Sequence, residues 1–331
     1  MMLKRLFRHR RTGLGLFLAL AIPASLAAQY QEPPPPAAYA LENVTVVHAD
    51  GREEAGVNVV VRRGFIEAMG PGIPIPPDAE LLEGESLRLY PGMVDAFGAA
   101  EVEWPEVRRQ GVLAWDPPRD AQGFTPNRRV ADYLSGTGAD GRDQRRAGII
   151  AAGIHPDWGM ASGQSATVLF RKRAETPWKL VAQPSIGLSF TFRSSRSGYP
   201  GSLFAVIAHF RQMFEDAGRY QLLMAEYRAD PTGLTLPAWD PDFEALGKAA
   251  SGEWPVYFQA DDDEEIRRVL ALADEIGFRP VLVGGEEAWQ VADQLAARDI
   301  PVLVSVAFPA PREWEAPGPG DPVPGNMPGG G

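Results

Sequence analysis

Only a few side chains in this sequence combine a chemically useful type with a suggestive position. His155 stands at the end of an apolar run with Asp157 two residues later, and imidazole nitrogen and carboxylate oxygen both bind divalent metals. Asp95 follows another short apolar run, where a carboxylate either takes part in a reaction or caps a turn. These three residues are candidate catalytic residues, and each also has an ordinary structural interpretation.

For the other polar residues, the sequence favours structural roles. His209 shares a helix face with apolar residues, so we interpret it as a packing or surface residue. The acidic run from Asp261 to Glu265 suggests cation binding, but it stands at a predicted helix start, where the helix dipole favours carboxylates. Ser162 and Ser165 lack the G-x-S-x-G pattern of a hydrolase nucleophile. The chain has no cysteine, which excludes disulfides, thiolate metal sites and a cysteine nucleophile.

The amino terminus has the features of an export signal. A basic head precedes an apolar core, Leu14 to Ile22, and small residues follow, so we predict a signal peptide over residues 1–28, cut after Ala27 or Ala28. The apolar core is shorter than the roughly 20 residues that span a bilayer, which argues against a stable membrane anchor. We therefore expect a periplasmic or secreted protein. A proline-rich linker over residues 29–38 follows the signal.

Charge and composition narrow the class of partner. The net charge is −11, and removal of the signal takes away five basic residues and no acidic one. An acidic surface argues against nucleic acid or an anionic membrane as a partner. The full sequence has 45% hydrophobic residues, a composition typical of a globular body.

The elements that must position the candidate residues are strands and helices in a clear order. Residues 39–90 contain short β-branched runs separated by turn residues, which predicts a meander of strands. Residues 101–146 are polar and turn-rich, which predicts a surface excursion with a short helix near 130–134, and a loop is expected from 154 to about 170. A helix begins at Ser202, and residues 255–306 repeat a strand-helix-strand scheme that implies parallel strands. The tail, 309–331, has a disordered composition.

One stretch resembles a known family. In LRLYPGMVDAFGA, Leu87 to Ala99, a Pro-Gly turn precedes two apolar residues and an acid. This order is similar to the first barrel strand of the amidohydrolase superfamily, written Pro-Gly, two aliphatics, Asp, any residue, His, any residue, His. The segment SGQSA, 162–166, resembles a loop of exported imidazolonepropionase-like amidohydrolases.

The resemblance implies both a fold and an activity. It implies an α/β chain in which a small β-sandwich segment, residues 39–90, precedes a partial TIM-like (β/α) barrel, residues 91–308. The family hydrolyses C–N bonds of amides or cyclic amides with a divalent metal such as zinc, which lowers the pKa of bound water. A complete member continues to an eighth strand that carries a metal-binding aspartate, and this chain ends near the seventh.

The resemblance also implies where the metal ligands would lie. The family's two first-strand histidines fall on Phe97 and Ala99, the fifth-strand histidine on Gln259 and the sixth-strand histidine on Gly284. Gln259 thereby joins the candidate site residues. The expected fourth-strand region, 185–195, has no lysine that would bridge two metals.

Two hypotheses about function follow. The first is an exported, catalytically degenerate amidohydrolase-like protein with a retained binding or accessory role, for which no metal or other cofactor is expected. The alternative is a metal-dependent hydrolase of C–N bonds that uses other ligands or is completed by a second chain. Under either hypothesis the expected partner is an intact amidohydrolase subunit or a chain encoded downstream.

Overall fold

The computed structural model describes residues 36–107, 111–135, 141–171, 176–193 and 198–304. It divides into one unit that ends at Pro91 and a second that begins at Gly92. The predicted signal peptide, most of the predicted linker and the predicted disordered tail lie outside the described residues. The last linker residue, Ala38, is buried and already belongs to the first strand.

The first unit is one sheet of five strands. Strands β1 (Ala38–Val47), β2 (Glu53–Arg62) and β3 (Phe65–Pro71) form two antiparallel pairs, as the meander predicts. Arg63 and Gly64 join β2 to β3, and both have positive φ angles, which suits a tight two-residue hairpin turn.

The rest of this unit departs from the prediction. Strands β4 (Ala79–Glu83) and β5 (Arg88–Leu89) both pair in parallel with β1, along the edge that β2 leaves free. They extend the first layer and do not form a second one. The described residues of this unit are therefore a single sheet, and the predicted β-sandwich is not observed.

The second unit is built on a sheet of seven strands. These are β6 (Met93–Gly98), β7 (Ile149–Ile154), β8 (Ala161–Leu169), β9 (Val181–Thr191), β10 (Pro255–Ala260), β11 (Arg279–Gly284) and β12 (Val302–Val304), and they lie in chain order across the sheet. Strand β8 is antiparallel to both of its neighbours, and every other pair is parallel. The prediction of parallel strands over 255–306 is confirmed.

Strand β8 corrects the predicted loop after residue 154. Its first six residues, 161–166, are all buried, so both faces of the strand are covered. The burial involves small residues such as Ser162, Gly163 and Ala166, which carry no period-two alternation and are typical of loops. The SGQSA segment is therefore part of a central strand.

The predicted surface excursion is also partly internal. Helices α1 (Arg119–Gln122), α2 (Val130–Tyr133) and α3 (Arg142–Arg146) lie in it, and α2 confirms the predicted short helix. Phe124 and Val130 are fully buried, and β-bridges connect Phe124 to Ala161 and Arg129 to Gln164. Residues 124–129 thus pair with the edge of β8, and Val130 packs in the same apolar cluster as Ala166. Local composition does not reveal these long-range contacts.

Four longer helices pack on the sheet and form the main core. They are α4 (Leu203–Ala229), α5 (Pro241–Ala250), α6 (Asp263–Ile276) and α7 (Ala292–Ala297), with 3₁₀ turns at Pro177–Leu180 and Ala288–Val291. Ser202 caps α4 by accepting a hydrogen bond from the backbone N–H of Ala205, as predicted from the sequence. In the described part of the chain, no helix has the length and apolar character needed to cross a membrane.

Candidate functional site

His155 meets Tyr257, which lies on a strand three places away, because the large sheet is strongly curled. The ring of His155, just after β7, lies 4.3 Å from the ring of Tyr257 on β10, measured between centroids. In a flat sheet these strands would be about 14 Å apart, since β8 and β9 lie between them. The sheet therefore closes towards a barrel around His155. The carboxyl ends of β6, β7, β10 and β11 surround this interior at one end.

His155 is held through both of its ring nitrogens. Nδ1 lies 2.9 Å from the Ser165 hydroxyl oxygen, and Nε2 lies 2.9 Å from the backbone oxygen of Ala96. A carbonyl oxygen only accepts, so Nε2 carries the proton and donates, and Nδ1 accepts from the hydroxyl in the neutral ring. Gly153 makes this possible, because a Cβ there would lie 2.6 Å from the Ala96 oxygen and 3.0 Å from Nε2.

The environment of His155 favours the neutral ring. Burial lowers its pKa, and this effect exceeds the opposing influence of the Ala96 carbonyl and the Asp95 carboxylate. Burial also raises the pKa of the Tyr257 hydroxyl.

Aromatic rings occupy both sides of the imidazole. Phe97 stacks on it with centroids 5.0 Å apart and planes inclined by 16°, and Tyr257 meets it edge-on. Gly187 leaves room for Tyr257, since a Cβ there would lie 2.9 Å from the tyrosine Cε2. Three aromatic groups, on β6, just after β7 and on β10, thus form one cluster. Phe97 is 46% exposed.

Asp95 and Asp157 do not join His155 in a catalytic group. Asp95 accepts a hydrogen bond from the backbone N–H of Phe97 at 3.0 Å, which is the turn-capping role considered from the sequence. The Asp157 side chain is exposed, and its backbone oxygen accepts a hydrogen bond from Arg193. Within the described residues no hydrogen bond or ion pair connects His155 to either carboxylate.

The two remaining predicted positions differ in character. Gln259 is half-buried on the same face of β10 as Tyr257, and its amide makes no hydrogen bond within the described part of the chain. Gly284 has φ +96°, a left-handed value that favours glycine, and a Cβ there would lie 2.0 Å from Oδ1 of Asp261. Any side chain at position 284 would therefore require Asp261 and the local backbone to move.

Comparison with solved structures places this geometry in a known fold. An amidohydrolase from Thermotoga maritima MSB8 aligns with a TM-score of 0.68 at 22% identity, over 84% of this chain and 73% of that one. The chain has an amidohydrolase-like fold. A prolidase solved with N-methylphosphonate-L-proline aligns at 16% identity and a TM-score of 0.37, over 81% of this chain and 66% of that one. Family models and curated protein sequences give no match.

An amidohydrolase-like fold implies a divalent metal, and the donor groups present do not fit one. Phe97, Ala99 and Gly284 have no side-chain lone pair to donate, and Gln259 offers only a neutral amide oxygen. His155 has its single lone pair engaged by Ser165. Across the described ranges, no three histidine, aspartate or glutamate side chains are grouped as a metal would require.

Two residues of this cluster were missed by the sequence analysis. Ser165 was considered only as a nucleophile, and its contact with His155 depends on β8, which was predicted as a loop. Tyr257 had a usable signal, because strand alternation places it on the same face as Gln259.

The structural interpretations of the acidic run and of His209 are confirmed. Asp262 caps α6 by accepting from the backbone N–H of Glu265 at 2.7 Å. His209 is 5% exposed and packs edge-on against Phe124 and Tyr199.

Proposed function

We propose that this chain is an exported amidohydrolase-like protein that has lost metal-dependent hydrolysis and keeps a binding or accessory role. The observation that carries the proposal is the state of His155. At the carboxyl ends of the strands, where barrel active sites are built, its ring is stacked on Phe97 and bonded through both nitrogens.

Loss of the donor groups removes the hydrolytic reaction itself and does not merely weaken the affinity for a metal. Hydrolysis of an amide in this family needs a metal-bound hydroxide, because the ion supplies the positive charge that lowers the pKa of water. Such an ion needs several nitrogen or oxygen ligands in a fixed geometry. For His155 to become one of them, Ser165 would have to give up its hydrogen bond, and the phenyl ring of Phe97 would still occupy one face.

A binding or accessory role has separate support. The Gln259 amide is half-buried and free to bond, beside the Tyr257 ring and the partly exposed Phe97 ring. Such a combination of aromatic surface and a few polar groups is typical of ligand sites. Export is supported by the basic head, short apolar core and small residues of the first 28 positions. Mass spectrometry of the mature protein is expected to find a new amino terminus at Ala28 or Gln29.

The sheet edges support the proposed partner. Among the described strands, β6 and β12 each pair on one side only, and β6 exposes Met93 and Val94. Open edges with apolar side chains are normally covered or paired. We therefore propose that an intact amidohydrolase subunit or a chain encoded downstream covers them. The same edges favour the second candidate, a C–N hydrolase completed by that second chain.

Metal analysis tests the leading proposal. The purified mature protein is dialysed against zinc and then against metal-free buffer, and bound zinc is measured together with hydrolysis of amide and cyclic amide substrates. We expect zinc far below one equivalent and no hydrolysis. Stoichiometric zinc with a rate that a chelator abolishes would refute the proposal, and loss of that zinc in His155→Ala would locate it. Activity that appears only when the downstream-encoded chain is co-expressed would establish the second candidate.

A further inference from the structure

A cavity lies at the opposite end of the large sheet from His155. It has a volume of about 570 Å³ and is formed where β10, β11 and β12 begin and α6 and α7 end. Pro255 and Gln259 are four residues apart on β10, so the cavity lies about 13 Å from the candidate site along the strand. This volume falls within the range of small-molecule sites.

The sequence gives this cavity an apolar rim. Each of the three strands is entered through a Pro-Val pair, at Pro255, Pro280 and Pro301, and all three prolines line the cavity. Proline is tolerated at a strand start because its missing N–H is not needed there. Phe278, which is buried, and Ile300 extend the apolar surface.

Four charged side chains line the same cavity, and two of them are paired with each other. Arg298 donates to the Asp274 carboxylate at 3.0 Å. Arg279 and Asp299 lie at the exposed mouth of the cavity and have no ion pair with any described residue. The cavity therefore combines an apolar lining with one unpaired cation and one unpaired anion.

We propose that this cavity binds a small zwitterion with an apolar body, of the chemical class of a free α-amino acid with an apolar side chain. Its carboxylate pairs with Arg279, its ammonium group pairs with Asp299, and its side chain packs on the prolines and Phe278. A guanidinium binds carboxylate well because its planar N–H groups match the two oxygens. An anion or a cation alone would leave one of the two charged groups unmatched. The site is separate from His155 and does not depend on the function proposed there.

Calorimetric titration of the mature protein with three probes tests this site. L-phenylalanine carries both charges, phenylacetate carries only the carboxylate, and 2-phenylethylamine carries only the ammonium group. We expect L-phenylalanine to bind about tenfold tighter than either analogue, the gain from one additional charge pair.

Two single substitutions separate the charges. Arg279→Gln is expected to reduce the affinity for L-phenylalanine about tenfold and to leave the affinity for 2-phenylethylamine unchanged. Asp299→Asn is expected to reduce the affinity for L-phenylalanine about tenfold and to leave the affinity for phenylacetate unchanged. Asparagine suits position 299, where φ is +51°. Arg228→Gln on α4 is the matched control, since Arg228 is exposed and does not line the cavity.

Three results would overturn the proposal. One is no binding of L-phenylalanine at about 10 mM, well above the affinity expected of a specific site. Another is equal affinity for the three probes. The third is an affinity for L-phenylalanine that neither substitution changes relative to Arg228→Gln, with circular dichroism showing that each variant is folded.

Discussion

His209 gives the protein a dependence of stability on pH that one substitution is expected to remove. The side chain is 5% exposed in α4 and packs against the rings of Phe124 and Tyr199, and its Nε2 atom has no hydrogen-bond partner among the described residues. Its pKa is lowered to about 4, mainly by burial and also by the positive charge of Arg119, while Asp216 partly opposes these effects. The native state therefore holds His209 neutral.

The sign and size of the effect follow from this pKa. In the unfolded chain a histidine has a pKa of about 6.5, so as the pH falls below that value the unfolded state gains a proton that the native state does not bind. The contribution of neutral His209 to the free energy of unfolding is complete above about pH 6.5 and is lost progressively down to about pH 4. With a native pKa of about 4, the loss at pH 5 is about 2 kcal/mol.

Urea unfolding of the wild type and of His209→Gln, at about pH 7.5 and about pH 5, measures this loss. Glutamine does not titrate, so we expect the wild type to lose about 2 kcal/mol more than the variant between the two pH values. An equal loss in the wild type and His209→Gln, or an NMR titration of His209 centred near pH 6.5, would show that the reasoning is wrong.

Three further substitutions test the packing around the site. Phe124→Ala removes a fully buried ring and is expected to lower the free energy of unfolding by about 3–5 kcal/mol, whereas Phe204→Ala, at an 83% exposed position, is expected to change it little. Ser165→Ala leaves Nδ1 of His155 without its donor and is expected to cost about 1–3 kcal/mol in urea unfolding. Gly284→Ala combines a strained positive φ with a 2.0 Å approach to a carboxylate oxygen and is expected to lower the melting temperature, and unchanged thermal unfolding would contradict the local geometry.

The regions that the sequence predicts correctly are those where local signals and tertiary packing agree. Strand β10 shows period-two burial and helix α6 shows period-3.6 burial, and Asp262 and Gly277 mark the helix ends. Strand β8 shows the opposite case. Its own residues are small and are buried on both faces by neighbouring segments, so its burial leaves no periodic pattern in its own sequence.

The candidate site shows a similar division. The positions of Phe97, Gln259 and Gly284 at the carboxyl ends of their strands follow from the resemblance together with the strand boundaries. The contacts of His155 with Ser165 and Tyr257 cannot be predicted in this way, because they depend on how far the sheet curls. That curvature is a property of seven strands together, and no single segment encodes it.

The alternation of side chains along a strand separates the core of this fold from its candidate site. On β10, Val256 and Phe258 face the helices and belong to the main core, while Tyr257 and Gln259 face the interior of the curled sheet. Burial of a side chain such as Phe258 contributes about 1.5–3 kcal/mol to stability, and this contribution does not depend on which residue stands at position 259. The helix-facing core is therefore independent of the residues that stand on the inner face. On that face aromatic rings surround His155, and Phe97 and Tyr257 supply the packing.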